Sequence, residues 1–460
     1  MHGLRADTAH EVRVVASNAG GSWTGDPVAV TTAPLVSGFP SVDVTFTAEE
    51  ATFDDQEVIC TNGYIGSGYA DPIYYCVDRW GEPRWMLNNP DAELLYAVRP
   101  LSDRGFAAVS KSRSLLVVQA EDGEITDEIT PLWLEGKTRF EHTWIDMHEV
   151  IELRDGPWAG ALAIITATAE QIAGSGTVLG GGLIVLDPDA GEVLWDWSAH
   201  GEPGDGVPID DKLDYDRTAT NVDLSDWLHL NALNHGLDED GDSFFLLSLR
   251  YQDWVIKVDV ETDEVVWRFG YEGDFELVDD IDAASPNPLP HRDWMYHQHA
   301  PEIIDHTGTR TEFVVFDNGN RRRLDDGTID DTSQGYSRVV SFVLDEATML
   351  AAPTFVVGSD DPSDERHFFS DYAGDADRLP AGDRLQYVDF ATSNIVEVAY
   401  PGGDEVWRLT AGPSAGQYRV NYFPSLYETT WWLEQAGQTR GEGAEPTARY
   451  SSSASSSRRP

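Results

Sequence analysis

A short hairpin recurs six times along this chain, and no other feature narrows its fold so far. In each copy, alternating apolar residues run into an Asp/Gly/Glu turn and out into a second strand that often carries tryptophan. The copies are YYCVDRWGEPRWML from Tyr74, LLVVQAEDGEITDEI from Leu115, LIVLDPDAGEVLWDW from Leu183, VIKVDVETDEVVWRF from Val255, VVSFVLDEATMLAAPTFV from Val339 and NIVEVAYPGGDEVWRL from Asn394. Spacings of about 40 to 85 residues leave room for four strands and their loops per unit, the dimension of a propeller blade rather than of a solenoid turn. Six units predict an all-β, six-bladed propeller, expected over residues 37–435. Trp85, Trp195, Trp267 and Trp407 fall at like places in four hairpins, where a large ring fills the wedge between sheets; core packing is their expected role.

A second element lies upstream of several hairpins, a polar residue expected at the beginning of a strand followed by an apolar stretch and a Gly/Asp turn, and three copies begin with histidine: His148 in IDMHEVIELRDG, His229 in DWLHLNALNHGLDEDGD and His299 in YHQHAPEIIDHTG. The innermost strand of each blade lines the central channel, so equivalent positions in successive blades point at one axis. Residues 70 to 81 apart in sequence are thereby expected to meet. A solitary histidine is more often a satisfied core or surface residue than a ligand; three at one repeat position point to function.

Converging imidazoles can bind a metal, shuttle protons or act as nucleophiles. Asp146, Glu149 and Asp226 lie nearby and would suit a metal's outer shell. Arg250 in LLSLRYQ opposes that reading, because a guanidinium repels a dication and suits a tetrahedral oxyanion. Asn231, two residues after His229, falls on the same strand face and offers an amide donor. His297 stands two before His299, on the same face if the segment is extended, and is a rival nucleophile or base.

The formal charge of −50, from 81 acidic and 31 basic residues, excludes nucleic acid and anionic lipid as partners and suits a secreted protein or a salty habitat. An anionic substrate must then find a local Arg/His site within an acidic shell. Cys60 and Cys76 sit in adjacent strand-like segments, a spacing that fits a hairpin disulfide and two buried thiols equally. No apolar run is long enough to span a membrane. Residues 10 to 35 resemble the last two strands of a fibronectin type III sandwich, so residues 1–36 are expected to be a partial remnant of one, with any export signal upstream. Residues 436–460 end in SSSASSSRRP and are expected to be disordered.

The series DWLHLNAL, SLRYQDWVIKVD, YHQHAPEI, FVVFDNGN and YSRVVSFVLDE closely resembles the bacterial aryl-sulfate sulfotransferases, six-bladed propellers that move a sulfuryl group between phenols without a nucleotide donor. The match runs from about residue 140 to 350 and rests on five motifs in order. The resemblance implies a ping-pong reaction in which a histidine is transiently sulfated. It carries the nucleophile to His299, the sulfuryl-holding pair to His229 and Asn231, the arginine to Arg250 and a further active-site histidine to His148. An aryl sulfate donor and a phenolic acceptor are the implied partners, with no cofactor and no metal, in the periplasm or outside the cell; a second copy of the chain is a further candidate partner. The family's threonine after the YSR strand has no counterpart in HFFSDYAGDADRLPAGD, and its role is not carried over. A disulfide that some members have before the QH motif is also absent.

Two further stretches need a reading. DEDGD within the His229 motif lacks the later Glu of a calcium loop and is expected to be an exposed turn; as an insertion between His229 and Arg250 it bears on where that arginine lies. Arg321, Arg322 and Arg323 in FDNGNRRR are expected in an exposed turn, solvated or drawing the donor toward the funnel. Two other functions stay open: a non-catalytic propeller binding aromatic or anionic ligands, and a quinone- or metal-dependent oxidoreductase.

Overall fold

The structure, a computed structural model, describes residues 4–423 apart from 19, 50–52, 55, 66–70, 89–94, 103–104, 119–123, 173–175, 201–224, 330–334 and 413–417. Near the start, β1 (Ala9–Val12), β2 (Val15–Asn18), β3 (Gly21–Thr24) and β4 (Val28–Thr31) pair as β1 with β4 and β2 with β3. Together they make one bent hairpin. Its Val14, Val15, Trp23 and Val28 are 50 to 65% exposed. No second sheet covers it among the described residues, so a fibronectin-type sandwich is not seen. The expected tail, 436–460, lies outside the described residues.

The six expected units are six sheets. After β5 (Val42–Phe46), the first blade contains β6 (Val58–Ile65), β7 (Asp71–Asp78) and β8 (Pro83–Asn88). The second is β9 (Leu95–Leu101), β10 (Gly105–Ser110), β11 (Leu115–Val118) and β12 (Ile125–Ile129). The third is β13 (His142–Glu152), β14 (Leu162–Ile172), β15 (Gly176–Asp187) and β16 (Glu192–Ser198), with β17 (Ser225–Asp226) added on β15. The fourth is β18 (Leu230–Leu237), β19 (Ser243–Leu249), β20 (Trp254–Asp259) and β21 (Val265–Gly270). The fifth is β23 (His299–Thr307), β24 (Arg310–Asp317), β25 (Arg338–Asp345) and β26 (Leu350–Val357), edged by β22 (Glu276–Leu277). The sixth is β27 (Asp375–Arg378), β28 (Arg384–Asp389), β29 (Asn394–Ala399) and β30 (Glu405–Ala411).

Two joints close the ring. β31 (Val420–Phe423) supplies the missing innermost strand of the first blade by pairing with β6, and β5 adds an outer strand to the sixth blade by pairing with β30. Each recurrent hairpin is the third and fourth strand of a blade, β7–β8 through β29–β30.

Every blade is buried on both faces, which explains the apolar runs. In β19 every residue is buried; Phe245, Leu247 and Leu249 pack against the third blade while Phe244 and Leu246 pack against the fifth. Period-two alternation thus divides one strand between two cores. Six such cores fill the six gaps between blades. Trp195, Trp267 and Trp407 are buried in them, and Trp85 is partly buried against another. Cys60 and Cys76 face each other across β6 and β7 and form a disulfide, which resolves the two readings their spacing allowed.

Candidate active site

The site residues come from the starts of innermost strands and from the turns joining second to third strands, the two kinds of segment that share one mouth of the ring. His299 opens β23 and His229 immediately precedes β18. His148 differs from expectation: it lies within β13, where the ladder with β14 is irregular between Ile145 and Val150. A bulge re-aims that side chain instead of a strand start. Arg250 follows β19, and its N–H donates to the His229 carbonyl at 3.3 Å. The DEDGD turn caps the opposite end of the β18–β19 hairpin, where Asp238 accepts from the N–H groups of Asp240 and Asp242, both at 2.9 Å. It therefore leaves the arginine's position undisturbed.

The imidazoles of His148 and His229 meet edge to face with centroids 4.8 Å apart. His229 also lies 4.8 Å from the Tyr251 ring, over which the Arg250 guanidinium sits at 5.2 Å. Each of these two histidines is held by a carboxylate two or three residues upstream. His148 Nδ1 contacts Asp146 Oδ1, and His229 Nδ1 lies 2.7 Å from Asp226 Oδ2. Those acids thus orient imidazoles, the work a metal's outer shell would also require. No group of three or more His, Cys, Asp and Glu arranged to hold a metal ion occurs among the described residues.

His299 is 2% exposed, and its Nδ1 lies 2.6 Å from Asn318 Oδ1. Asn318 directs Nδ2 at the carbonyls of Ser370 and Ala373, both 2.8 Å away. Burial pushes His299 well below the ordinary histidine range, and Arg250, Arg419 and His148 lower it further against the hydrogen bond to Asn318. His229 is lowered for the same first reason, burial, opposed by Asp226 and aided by His148 and Arg250. Asp146, although burial raises it, is drawn down to about 2 by His148, Arg113 and His229.

Asn231 is buried, and the irregular pairing between Leu230 and Ala232 sets it at a bulge. Its Nδ2 donates to the Gln298 carbonyl at 2.9 Å, tying the fourth blade to the fifth, while Oδ1 has no hydrogen-bond partner among the described residues. The amide is at the site, but its nitrogen serves the scaffold. The segment is not extended at His297, whose φ of 55° is left-handed, so the strand alternation that would set it on the His299 face does not apply. The His297 ring is held by Asp253 at 3.1 Å.

The sequence of the described propeller matches the family model Arylsulfotransferase (ASST) over residues 51–414. The chain belongs to the arylsulfotransferase family. No curated protein matches it. Solved structures that align with it include TolB from Acinetobacter baumannii (10% identity, covering 80% of this chain and 67% of that one, TM-score 0.39). A putative 6-phosphogluconolactonase from Bacteroides fragilis aligns at 13% identity, 80% and 98% coverage and TM-score 0.34. The Cps50 (Swd1) β-propeller domain of Myceliophteria thermophila does so at 10% identity, 83% and 88% coverage and TM-score 0.37.

Within this arylsulfotransferase-family propeller, several site residues escaped the sequence reading. Arg419, 1% exposed on its side chain, donates to the Asn231 carbonyl at 2.8 Å and to Asp375 at 3.2 Å, and lies 3.4 Å from Glu149. It stands just before β31, the strand that closes the ring, so its neighbours come from distant parts of the chain. Tyr418 brings its ring within 6.1 Å of His148. Asn318 was legible only as part of FDNGN. The HFFSDYAGD segment contributes backbone instead of a threonine: Asp371 gives its carbonyl to Arg250 Nη2 at 3.0 Å.

The three consecutive arginines are not one exposed turn. Arg322 is buried, paired with Asp317 at 2.9 Å and donating to the Trp294 carbonyl at 2.9 Å; Arg323 donates to Gly327. Asp317 also accepts from Arg338 and from the Tyr296 N–H. These bonds anchor the residue before Asn318.

Proposed function

We propose that this member of the arylsulfotransferase family moves a sulfuryl group from an aryl sulfate to a phenolic acceptor through a sulfated His299. The observation that carries the reading is the Asn318 contact. Asn318 offers an acceptor oxygen to His299 Nδ1, so the ring proton sits there and the Nε2 lone pair is free. An imidazole kept neutral by burial and by two nearby guanidinium groups is a competent nucleophile near neutral pH.

In the first half-reaction Nε2 attacks sulfur, and the sulfur–oxygen bond to the aryl group breaks with its electron pair on the phenolate. Arg250 and Arg419 favour the charge on the sulfuryl oxygens. The departing oxygen takes a proton from the His148–His229 pair. Those two rings lie edge to face at 4.8 Å, and Asp146 and Asp226 orient them toward the departing oxygen. In the second half-reaction the acceptor phenol returns a proton to the pair, its oxygen attacks sulfur, and the nitrogen–sulfur electron pair returns to Nε2.

The Cys60–Cys76 disulfide and the acidic surface support a periplasmic or extracellular setting. The Ala9–Thr31 hairpin, with its apolar side chains turned to solvent, fits a fragment of a fibronectin type III-like sandwich. Incubation with a chromogenic aryl sulfate alone should release one equivalent of phenol and add one sulfuryl mass to the peptide carrying His299. A mass shift elsewhere, or phenol release unaffected by His299→Ala, would sink the reading.

A further inference from the structure

Four histidines stand at this mouth, and three lean on carboxylates: His148 on Asp146, His229 on Asp226 and His297 on Asp253. His299 leans on an amide. The orientation of that amide is not arbitrary. Asn318 Nδ2 donates to the Ser370 and Ala373 carbonyls at 2.8 Å each, and reversing the group would set an oxygen against two oxygens. Gly319 holds the turn, with φ +77° and its N–H on the Tyr296 carbonyl at 2.9 Å.

We propose that Asn318 is a positioning residue whose neutrality keeps the sulfated His299 reactive. The inference rests on the sulfohistidine reading above and deepens it. When Nε2 bonds to sulfur and the aryl oxygen leaves, the Nδ1 proton stays on the ring, because an amide oxygen is too weak a base to remove it. The intermediate is then a cationic sulfoimidazolium. Its nitrogen–sulfur bond breaks toward a neutral imidazole, a good leaving group. A carboxylate in the same place would take the Nδ1 proton and leave a neutral sulfoimidazole, whose cleavage must expel an imidazolate. Sulfuryl uptake would survive; discharge to the acceptor would stall. The charged and titratable groups acting on His299 are Arg250 after β19, Arg419 before β31 and His148 in β13. All oppose protonation of the free ring or, for His148, do so when charged, and a carboxylate at 318 would counter them.

Two measurements test this. Ring nitrogen shifts of histidine-labelled wild-type protein, with the His299 signal assigned by its loss in His299→Gln, should report a protonated Nδ1 and an unprotonated Nε2 with no donor present. The opposite tautomer overturns the proposal. In Asn318→Asp, phenol release from the aryl sulfate should persist, the sulfated peptide should survive an acceptor chase about tenfold longer than wild type, and the acidic limb of donor kcat/KM should rise by about one pH unit. Discharge as fast as wild type overturns it. Because the aspartate loses both Nδ2 bonds and that variant can fail to fold, the wild-type tautomer remains an independent test. A wild-type protein with the expected tautomer that takes up no sulfuryl group overturns the sulfohistidine reading, not the assignment of the His299 proton to Nδ1.

Discussion

Burial and the guanidinium groups of Arg250 and Arg419 make protonation of His299 costly, and burial does the same for His229. For activity, the acidic limb of donor kcat/KM should lie below the ordinary histidine value of about 6.5; a limb at or above that value would contradict a buried neutral nucleophile. For stability the sign follows from proton uptake. The unfolded chain binds protons that the folded one refuses, so this contribution is complete above the ordinary histidine range and is lost as pH falls toward the folded values. Denaturant midpoints between pH 8 and 5 should therefore fall less steeply in His299→Gln than in wild type. The same variant should lose transfer by on the order of a thousandfold while staying folded. At Gly319 an added Cβ would lie 2.0 Å from the Tyr336 carbonyl, so Gly319→Ala should lower stability by at least about 2 kcal/mol and weaken transfer by moving Asn318; an unchanged melting midpoint would refute that.

The elements differ in how they are held. Between the first and sixth blades, Arg79 is fully buried between Glu57 and Glu397 and stacks within 5.1 Å of the Trp407 ring. Burial pushes Glu57 up, but Arg79 and Arg384 outweigh it and leave its carboxyl below the usual range. Removing the arginine leaves Arg384, 3.0 Å from Glu57 and 2.9 Å from Glu397, to pair both carboxylates alone at the ring's seam, so Arg79→Met should cost up to about 3 kcal/mol, measured by urea unfolding. The neighbouring disulfide closes a short loop of 16 positions in sequence. Reduction should lower stability by no more than about 3 kcal/mol and leave transfer intact, since the bond lies between β6 and β7 and not among the site residues.

At the scale of the whole molecule, function depends on closure. β31 both completes the first blade and brings Arg419 to the Asn231 carbonyl across 188 positions of sequence. Truncation before Tyr418 should abolish transfer and lower the melting temperature, whereas deletion of residues 1–36 should change neither, because the hairpin there packs on none of the six cores. Equal effects from the two deletions would show that the closing strand has no special part.

The recurrent hairpins, the tryptophans and the histidine spacing made the six blades and the meeting of His148 and His229 legible, because period-two alternation and repeat length are local properties of the chain. Partners of those histidines were less so. Asp146 and Asp226 lie within three residues of their imidazoles and could be seen as candidates, but whether they served a metal or a ring depended on direction. The left-handed backbone at His297, the burial of Arg322 and the carbonyl acceptors that orient Asn318 were not written in residue type at all. Each is settled by contacts between segments far apart in the chain. Sequence by itself determined the repeat and the inventory of reactive groups; only the tertiary structure decided which imidazole leans on an amide and which on a carboxylate, since pairing of β23 with β24 and the seating of Asn318 on the Ser370 and Ala373 carbonyls are what bring that amide to His299.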